Sequence, residues 1–183
     1  FPFRRELKKR RDVSYHLGHV KNIDLKNKQV TTSYETIDYD KLVIAAGTTN
    51  NYFGMQGLDK LTFGMKSVSE AIRLRDEILD RLERGAICTD PKRRRQLLSF
   101  VVVGGGPAGV EIAGALGEMK KYVIPREYPE LMPEEVSIKL VEGNSSLLAA
   151  MGAKAGQKAL QYLHELQCDV ELGTSVKDYS EDK

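Results

Sequence analysis

The stretch FVVVGGGPAGVEIAGALGE, residues 100–118, joins a short apolar run to a cluster of glycines and a segment with helical periodicity. The apolar run predicts a buried β-strand. The side chains that follow at the spacing of one helix face are Ile112, Leu116, Met119 and Val123. A strand that enters a helix through Gly104-x-Gly106-x-x-Gly109 is typical of a turn that holds the pyrophosphate of a dinucleotide. The stretch therefore predicts an α/β fold with a Rossmann-type parallel sheet.

Each residue of this turn has a separate predicted role. Gly104 permits the tight turn, Gly106 lets the backbone approach a pyrophosphate, and Gly109 lets the helix pack close to the strand. The helix that begins near Pro107 and Ala108 directs free N–H groups and the positive end of its dipole at the phosphates. A proline in the first turn costs no helical hydrogen bond. These five residues are the candidate dinucleotide-binding turn.

An acidic residue that binds the adenosine ribose is expected at the end of the next strand. The run SIKLVEG, residues 137–143, predicts that strand and ends on Glu142. The gap from the glycines exceeds the usual spacing of about 20 residues, because the proline-rich run IPREYPELMPEE, predicted to be a loop, lies between them. A carboxylate that accepts from both ribose hydroxyls favours NADH, and no arginine follows it to bind the extra phosphate of NADPH. The alternative for Glu142 is a solvated carboxylate at a strand end.

The remaining segments extend this pattern in both directions. AGQKALQYLHELQC predicts a second helix and DVELGTSV a third strand, so residues 100–176 give the order β-α-β-α-β. Val13–Asp24 and Gln29–Thr36 predict two short antiparallel strands. The run KLVIAAG, residues 41–47, predicts a strand buried on both faces.

Between these parts lies a predicted helix, SVSEAIRLRDEILDRLERGA, residues 67–86. Ser67 and Glu70 form a capping box at its start, and Gly85 is the predicted stop signal. The following DPKRRRQL predicts a basic, solvated loop.

Composition limits the classes of function. The chain has 183 residues, of which 41% are hydrophobic and 30% charged, as in a globular protein. A net charge of +2 gives no reason to expect nucleic-acid binding. Cys88 and Cys168 form no CxxC pair or His/Cys cluster, so we expect no metal site and no disulfide framework, as in a reducing compartment. No apolar run is long enough for a membrane span.

Two motifs together support a family resemblance. YDKLVIAAGTTNNYFG, residues 39–54, looks like the ATG-type motif of two-dinucleotide-binding flavoproteins, whose FAD domain is interrupted by an NAD(P)H domain. GGGPAGVEIAGALGEMKKYVIPREYPEL and MKSVSEAIRLRDEIL most resemble type II NADH dehydrogenases (NADH:quinone oxidoreductases). The resemblance implies that residues 1–62 are part of an FAD domain with a small β-meander. It also implies that residues 63–183 are an incomplete NADH domain, and that the chain is a fragment of a longer protein.

The resemblance also implies an activity and further site residues. Hydride passes from NADH to FAD, and electrons pass on to a quinone of the respiratory chain. Glu111 matches a glutamate near the nicotinamide and is the catalytic candidate, with a favourable charge near a helix N-terminus as the alternative. Val20 matches a backbone contact to the adenine of FAD, and Ala46 and Gly47 match the segment near the flavin nucleotide.

The family's first glycine motif and its membrane-binding C-terminal part are absent from the sequence, so we expect the isolated chain to hold FAD weakly and to be inactive. The whole enzyme is expected to be a peripheral protein on the cytoplasmic face of a membrane, with a homodimer as a candidate assembly. Two alternatives stay open: another NAD(P)H-dependent flavoprotein reductase of the ferredoxin or disulfide type, and a non-catalytic dinucleotide-binding module.

Overall fold

A computed structural model describes residues 3–52, 54–55, 57–177 and 179. The chain divides into two compact units, residues 1–47 and residues 48–183. These units are defined by how closely their residues pack, and not by which cofactor they bind. The boundary between cofactor domains at residues 62 and 63 remains a prediction from the sequence.

The first unit contains a short helix and a three-stranded antiparallel sheet. Its elements are α1 (Phe3–Leu7), β1 (Val20–Asp24), β2 (Gln29–Thr32) and β3 (Thr36–Asp38), with the strands in the order β1-β2-β3. In the turn between β1 and β2, the side chain of Asp24 accepts from the backbone N–H groups of Lys26 and Asn27, both at 2.9 Å. The predicted meander is confirmed, although it has three strands instead of two and residues 13–19 lie outside β1.

The segment at residues 41–47 differs from the prediction. It forms no strand, and the side chains of Val43 and Ile44 are 86% and 69% exposed. A strand buried on both faces needs a neighbouring strand on each side. None of the strands in the described residues pairs with this segment. The apolar run supplies β-propensity but not the partners that would bury it, so the prediction of a buried strand is wrong here.

The second unit begins with three helices, which are α2 (Leu58–Leu61), α3 (Val68–Ile87) and α4 (Pro91–Leu97). The predicted capping box of Ser67 and Glu70 is present at the start of α3. The predicted stop at Gly85 is wrong, because α3 continues to Ile87. A Cβ atom at Gly85 would lie 2.6 Å from Cδ2 of Leu98. This glycine therefore serves close packing against Leu98 and does not end the helix.

The basic run after α3 is also not the predicted loop. Asp90 caps a helix there by accepting from the N–H groups of Lys92 and Arg93 at 2.8 and 3.1 Å. Pro91 occupies the first turn, where it costs no helical bond. Asp90 and Pro91 together are a helix start signal, and the run of positive charge obscured it.

A parallel three-stranded sheet follows, with strands β4 (Ser99–Val103), β5 (Ser137–Glu142) and β6 (Asp169–Leu172) in the order β4-β5-β6. The helices that connect them are α5 (Pro107–Glu118), α6 (Ile124–Glu127) and α7 (Ala153–Glu165). The predicted β-α-β-α-β order and the α/β class are confirmed. Because the strands are parallel, the turns that leave β4 and β5 lie at the same edge of the sheet.

One turn of π-helix, Met119–Val123, connects α5 to α6. The N–H of Ile124 donates to the carbonyl oxygen of Met119, five residues earlier. Pro125 lies directly after this turn and has no N–H to donate. The widened turn keeps the chain helical across the proline and directs Ile124 fully into the core. The proline-rich run that was predicted as a loop is therefore partly helical.

The core of the second unit forms where the helices cover this sheet. Its largest fully buried side chains are Leu82, Leu98, Ile124, Ile138, Leu140, Leu147, Leu163 and Val136. No helix within the described residues is long and apolar enough to cross a bilayer. The packed sheet holds the turns that leave β4 and β5 in a fixed position.

Candidate dinucleotide-binding site

The glycine turn between β4 and α5 gives each glycine a distinct environment. Gly104 has a φ of 105°, in the region that disfavours other residues, and its N–H donates to the carbonyl of Val141 at 2.8 Å. A Cβ atom at Gly109 would overlap the carbonyl oxygen of Gly104. At Gly106, a Cβ atom would meet no atom of the described residues within 4 Å, apart from its two neighbours in the chain. Gly104 and Gly109 therefore serve the fold, and Gly106 leaves space for a ligand.

The start of α5 faces this open space. Gly106 is the N-cap residue and Pro107 opens the first turn. Ala108 and Gly109 are in the same turn, where backbone N–H groups have no helical acceptor. The N–H groups and the positive end of the helix dipole favour an anion at this position.

Glu142 is the last residue of β5 and is only 9% exposed. Its Oε2 accepts from the N–H of Gly105 at 2.5 Å. Its Oε1 accepts from both the backbone N–H and the side-chain Nδ2 of Asn144, each at 2.6 Å. Burial raises the pKa of this carboxyl, but the bonds from Asn144 and Gly105 outweigh burial and lower the pKa below its usual value. Glu142 is therefore a buried, ionised carboxylate beside the glycine turn.

Gly105 is a site residue that sequence reasoning missed. Its N–H donates to Glu142, and its carbonyl accepts from the N–H of Leu148 at 2.8 Å. A Cβ atom here would lie 2.6 Å from Cδ2 of Leu147 and 3.0 Å from Oε2 of Glu142. Gly105 thus joins the glycine turn to the loop after β5. The signal in the sequence was a glycine at the variable position between Gly104 and Gly106.

These bonds limit what Glu142 can offer a ligand. An ionised carboxylate has about four lone-pair sites, and protein donors occupy three of them. About one site remains for a ribose hydroxyl. The expectation that Glu142 accepts from both hydroxyls of the ribose therefore exceeds its free capacity.

The other candidates lie in different places. Glu111 is exposed on α5, within two turns of its start. Val20 opens β1 in the first unit, and Ala46 and Gly47 follow in the exposed segment at its end. Gly47 has a φ of 74° and open space at its Cβ position. The structure thus brings together the glycine turn and Glu142, within the second unit.

A separate concave surface of about 880 Å³ lies at the opposite edge of the sheet. Ser99 and Ser137, the first residues of β4 and β5, contribute to its lining together with Arg94 and Met132. The glycine turn is not part of this surface. The candidate dinucleotide site and this concave surface therefore lie at opposite edges of the sheet.

Comparison with models of known protein families assigns the chain to one family. The family model described as pyridine nucleotide-disulphide oxidoreductase matches residues 4–183. The chain belongs to this family. In this chain, Cys88 is half-buried, Cys168 is buried, and both are free thiols.

Curated relatives of the chain confirm the resemblance to type II NADH dehydrogenases. Type II NADH:quinone oxidoreductase Ndh of Mycobacterium tuberculosis is 37% identical over 97% of the chain. NdhA of the same organism is 34% identical over 93% of the chain. The chain spans only 39% and 37% of the length of these two proteins.

A solved structure confirms the fold. The structure of NDH2 from Plasmodium falciparum in complex with NADH matches with a TM-score of 0.74 and 24% identity. The match covers 90% of this chain and 34% of NDH2. The α/β architecture, with a parallel sheet and a small antiparallel sheet, is therefore shared with NDH2.

Proposed function

We propose that the chain is the NADH-binding part, with a portion of the FAD domain, of an FAD-dependent NADH:quinone oxidoreductase. One observation carries the proposal: the open backbone at Gly106 and the ionised Glu142 lie at the same edge of the sheet. The names of the curated relatives and the NADH complex of the related fold support it. We propose NADH over NADPH because the buried carboxylate of Glu142 repels the extra phosphate of NADPH.

Each site residue then has a task. The first-turn N–H groups of Ala108 and Gly109 bind the pyrophosphate, and Gly106 provides the space for it. Glu142 binds the ribose. Glu111 is exposed on the same helix, and in this proposal it contacts the nicotinamide. A negative charge at that position stabilises the positive ring that forms when the hydride leaves.

The proposed FAD contacts are in the first unit. Gly47 fits a flat ligand because its φ of 74° turns the backbone and nothing fills its Cβ position. Ala46 precedes it, and Val20 offers its backbone in β1. When bound, FAD supplies the redox chemistry between NADH and a quinone. The whole enzyme is proposed to act in a respiratory chain, peripherally on the cytoplasmic face of a membrane and as a homodimer.

Calorimetric titration of the chain with NADH and with NADPH tests the nucleotide site. We expect saturable binding of NADH and weaker binding of NADPH. Glu165→Gln is the control, because it changes an exposed carboxylate at the C-terminal end of α7, away from the glycine turn, and should bind NADH with nearly the same affinity. Absence of NADH binding, or tighter binding of NADPH, contradicts the proposal.

The flavin and the quinone are tested with the full-length protein. We expect the purified protein to show flavin absorbance and to oxidise NADH when a soluble quinone is supplied. A colourless protein that binds NADH without oxidising it would indicate the non-catalytic module instead. Oxidation that proceeds with ferredoxin or a disulfide and not with quinone would indicate the other flavoprotein reductases.

A further inference from the structure

Asn144 is held beside Glu142 from several sides. Its backbone N–H and its Nδ2 both donate to Oε1 of Glu142 at 2.6 Å. Its backbone carbonyl accepts from the N–H of Gly173 at 2.9 Å. The N–H of Thr174 donates to the carbonyl of Glu142 at 3.0 Å. The loop after β5 is thus pinned to the segment after β6, and the position of Asn144 is fixed before any ligand binds.

The side chain of Asn144 retains unused bonding capacity. Asn144 is exposed, and its Nδ2 has a second hydrogen beyond the one given to Glu142. No donor in the described part of the chain bonds to its Oδ1. The carboxamide therefore presents a free acceptor to solvent at the edge of the sheet where Glu142 lies.

The ribose requires more acceptors than Glu142 has left. Each of its two hydroxyls is a donor, and a hydroxyl that is taken from water without a partner loses binding energy. Glu142 retains about one lone-pair site after its three protein bonds. A second acceptor next to Glu142 is therefore needed.

Resting on the proposed function, we propose that Glu142 and Asn144 share the adenosine ribose of NADH. The carboxylate of Glu142 accepts from one hydroxyl, and Oδ1 of Asn144 accepts from the other. Asn144 is thereby a specificity-determining residue of the site. Its Nδ2 bond to Glu142 orients the carboxamide so that the oxygen is available to the ribose.

Titration of the chain with NADH and two analogues tests this division. The analogues lack the 2′- or the 3′-hydroxyl of the adenosine ribose. We expect Asn144→Ala to weaken NADH binding by about five- to tenfold, the loss of one hydrogen bond. For the analogue that lacks the hydroxyl bound by Asn144, we expect the substitution to leave the affinity almost unchanged. For the other analogue, we expect it to weaken binding by the same factor of about five to ten.

A structural role alone predicts a different pattern. If Asn144 only supports the loop, Asn144→Ala weakens NADH and both analogues by the same factor, which contradicts the proposal. Asn144→Ser is the second variant, because its hydroxyl can still donate locally but does not replace the carboxamide oxygen. We expect Asn144→Ser to weaken binding only of the nucleotides that carry the hydroxyl bound by Asn144. This variant serves as the test if Asn144→Ala does not fold.

A matched control exists in the first unit. Asn27 donates to Asp24 through both its backbone N–H at 2.9 Å and its Nδ2 at 2.8 Å. Asn27→Ala removes the same kind of contact outside the site and should leave NADH affinity unchanged. Failure of the unsubstituted chain to bind NADH contradicts the proposed function itself. Normal NADH binding by both Asn144 variants contradicts only the sharing of the ribose.

Discussion

Gly106 and Gly109 belong to one fingerprint but differ in what surrounds them. The φ and ψ of Gly106 are −74° and −179°, an extended conformation that alanine adopts without strain. Gly109 lies against the carbonyl of Gly104, with no room for a side chain. Alanine should therefore weaken ligand binding at Gly106 and destabilise the fold at Gly109.

We expect Gly106→Ala to change the free energy of unfolding by less than about 0.5 kcal/mol. Its methyl group fills the space of the pyrophosphate, so NADH affinity should fall by at least about tenfold. Gly109→Ala should instead destabilise the fold by about 3 kcal/mol, because backbone must move. Chemical denaturation and calorimetry distinguish the two. A Gly106 variant that binds NADH normally would show that the pyrophosphate does not approach this residue.

Glu142 gives the site a dependence on pH. Its pKa is lowered in the folded protein from an ordinary value of 4.5, so the folded state favours the ionised form. The resulting stabilisation is complete above about pH 4.5 and is lost as the pH falls through the lowered pKa. We expect Glu142→Gln to be about 2 kcal/mol less stable at pH 7, since an amide cannot accept all three bonds. Denaturation curves at several pH values should show this difference shrinking in acid, whereas a constant difference would contradict the assignment.

The fingerprint positions and Glu142 could be predicted from residue type and spacing, because they follow from the geometry of a strand-turn-helix unit. Gly105 and Asn144 could not be predicted in the same way. Their importance arises from contacts between the glycine turn and the loop after β5, which are far apart in sequence. The limit on ribose binding by Glu142 also depends on those contacts.

At the scale of elements, α4 is tied to its surroundings by Arg94. This side chain forms a two-bond pair with Glu135 at 2.7 and 2.9 Å and donates to the carbonyl of Glu130 at 2.5 Å. It also donates to the carbonyl of Ala86 near the end of α3, at 3.4 Å. The side chains of Arg94 and Glu135 are only 20% and 29% exposed. Arg94 therefore joins α3, α4 and the run before β5.

We expect Arg94→Ala to lower the free energy of unfolding by about 2 kcal/mol, because it leaves the carboxylate of Glu135 half-buried without its partner. Arg95→Ala, on the exposed side of the same helix, is the control and should change stability by less than about 0.5 kcal/mol. Thermal or chemical unfolding measures both. Equal effects of the two substitutions would mean that Arg94 acts only as surface charge.

The elements with strong periodicity, such as α3, α5 and α7, were predictable because each buries one face. The errors at Gly85 and at DPKRRRQL have different causes. The role of Gly85 depends on its contact with Leu98, and a local pattern contains no information on that packing. The helix start at Asp90 and Pro91 was present in the local pattern, but the run of positive charge obscured it. Residues 41–47 show the converse case, where a strong local preference for strand finds no partner.

At the scale of the whole molecule, the exposed run at residues 43–46 favours self-association of the chain. It is apolar, uncharged and rich in β-propensity, which is typical of segments that associate. We expect the double substitution Val43→Lys and Ile44→Lys to reduce self-association at high concentration, measured by light scattering. Lys21→Ala is a control on an exposed strand residue that leaves the run intact. Unchanged scattering in the lysine variant would show that association involves another surface.

The π-turn between α5 and α6 accommodates one residue more than regular winding needs. The N–H of Ile124 reaches the carbonyl of Met119 across five residues instead of four. Removal of one residue from Met119–Val123 would restore the spacing of an α-helix and leave Ile124 directed into the core that it now enters. A deletion within α5 would instead turn every residue beyond it by about 100°. The π-turn is thus the place where this helical path can lose one residue, and single-residue deletions should be better tolerated there than within α5.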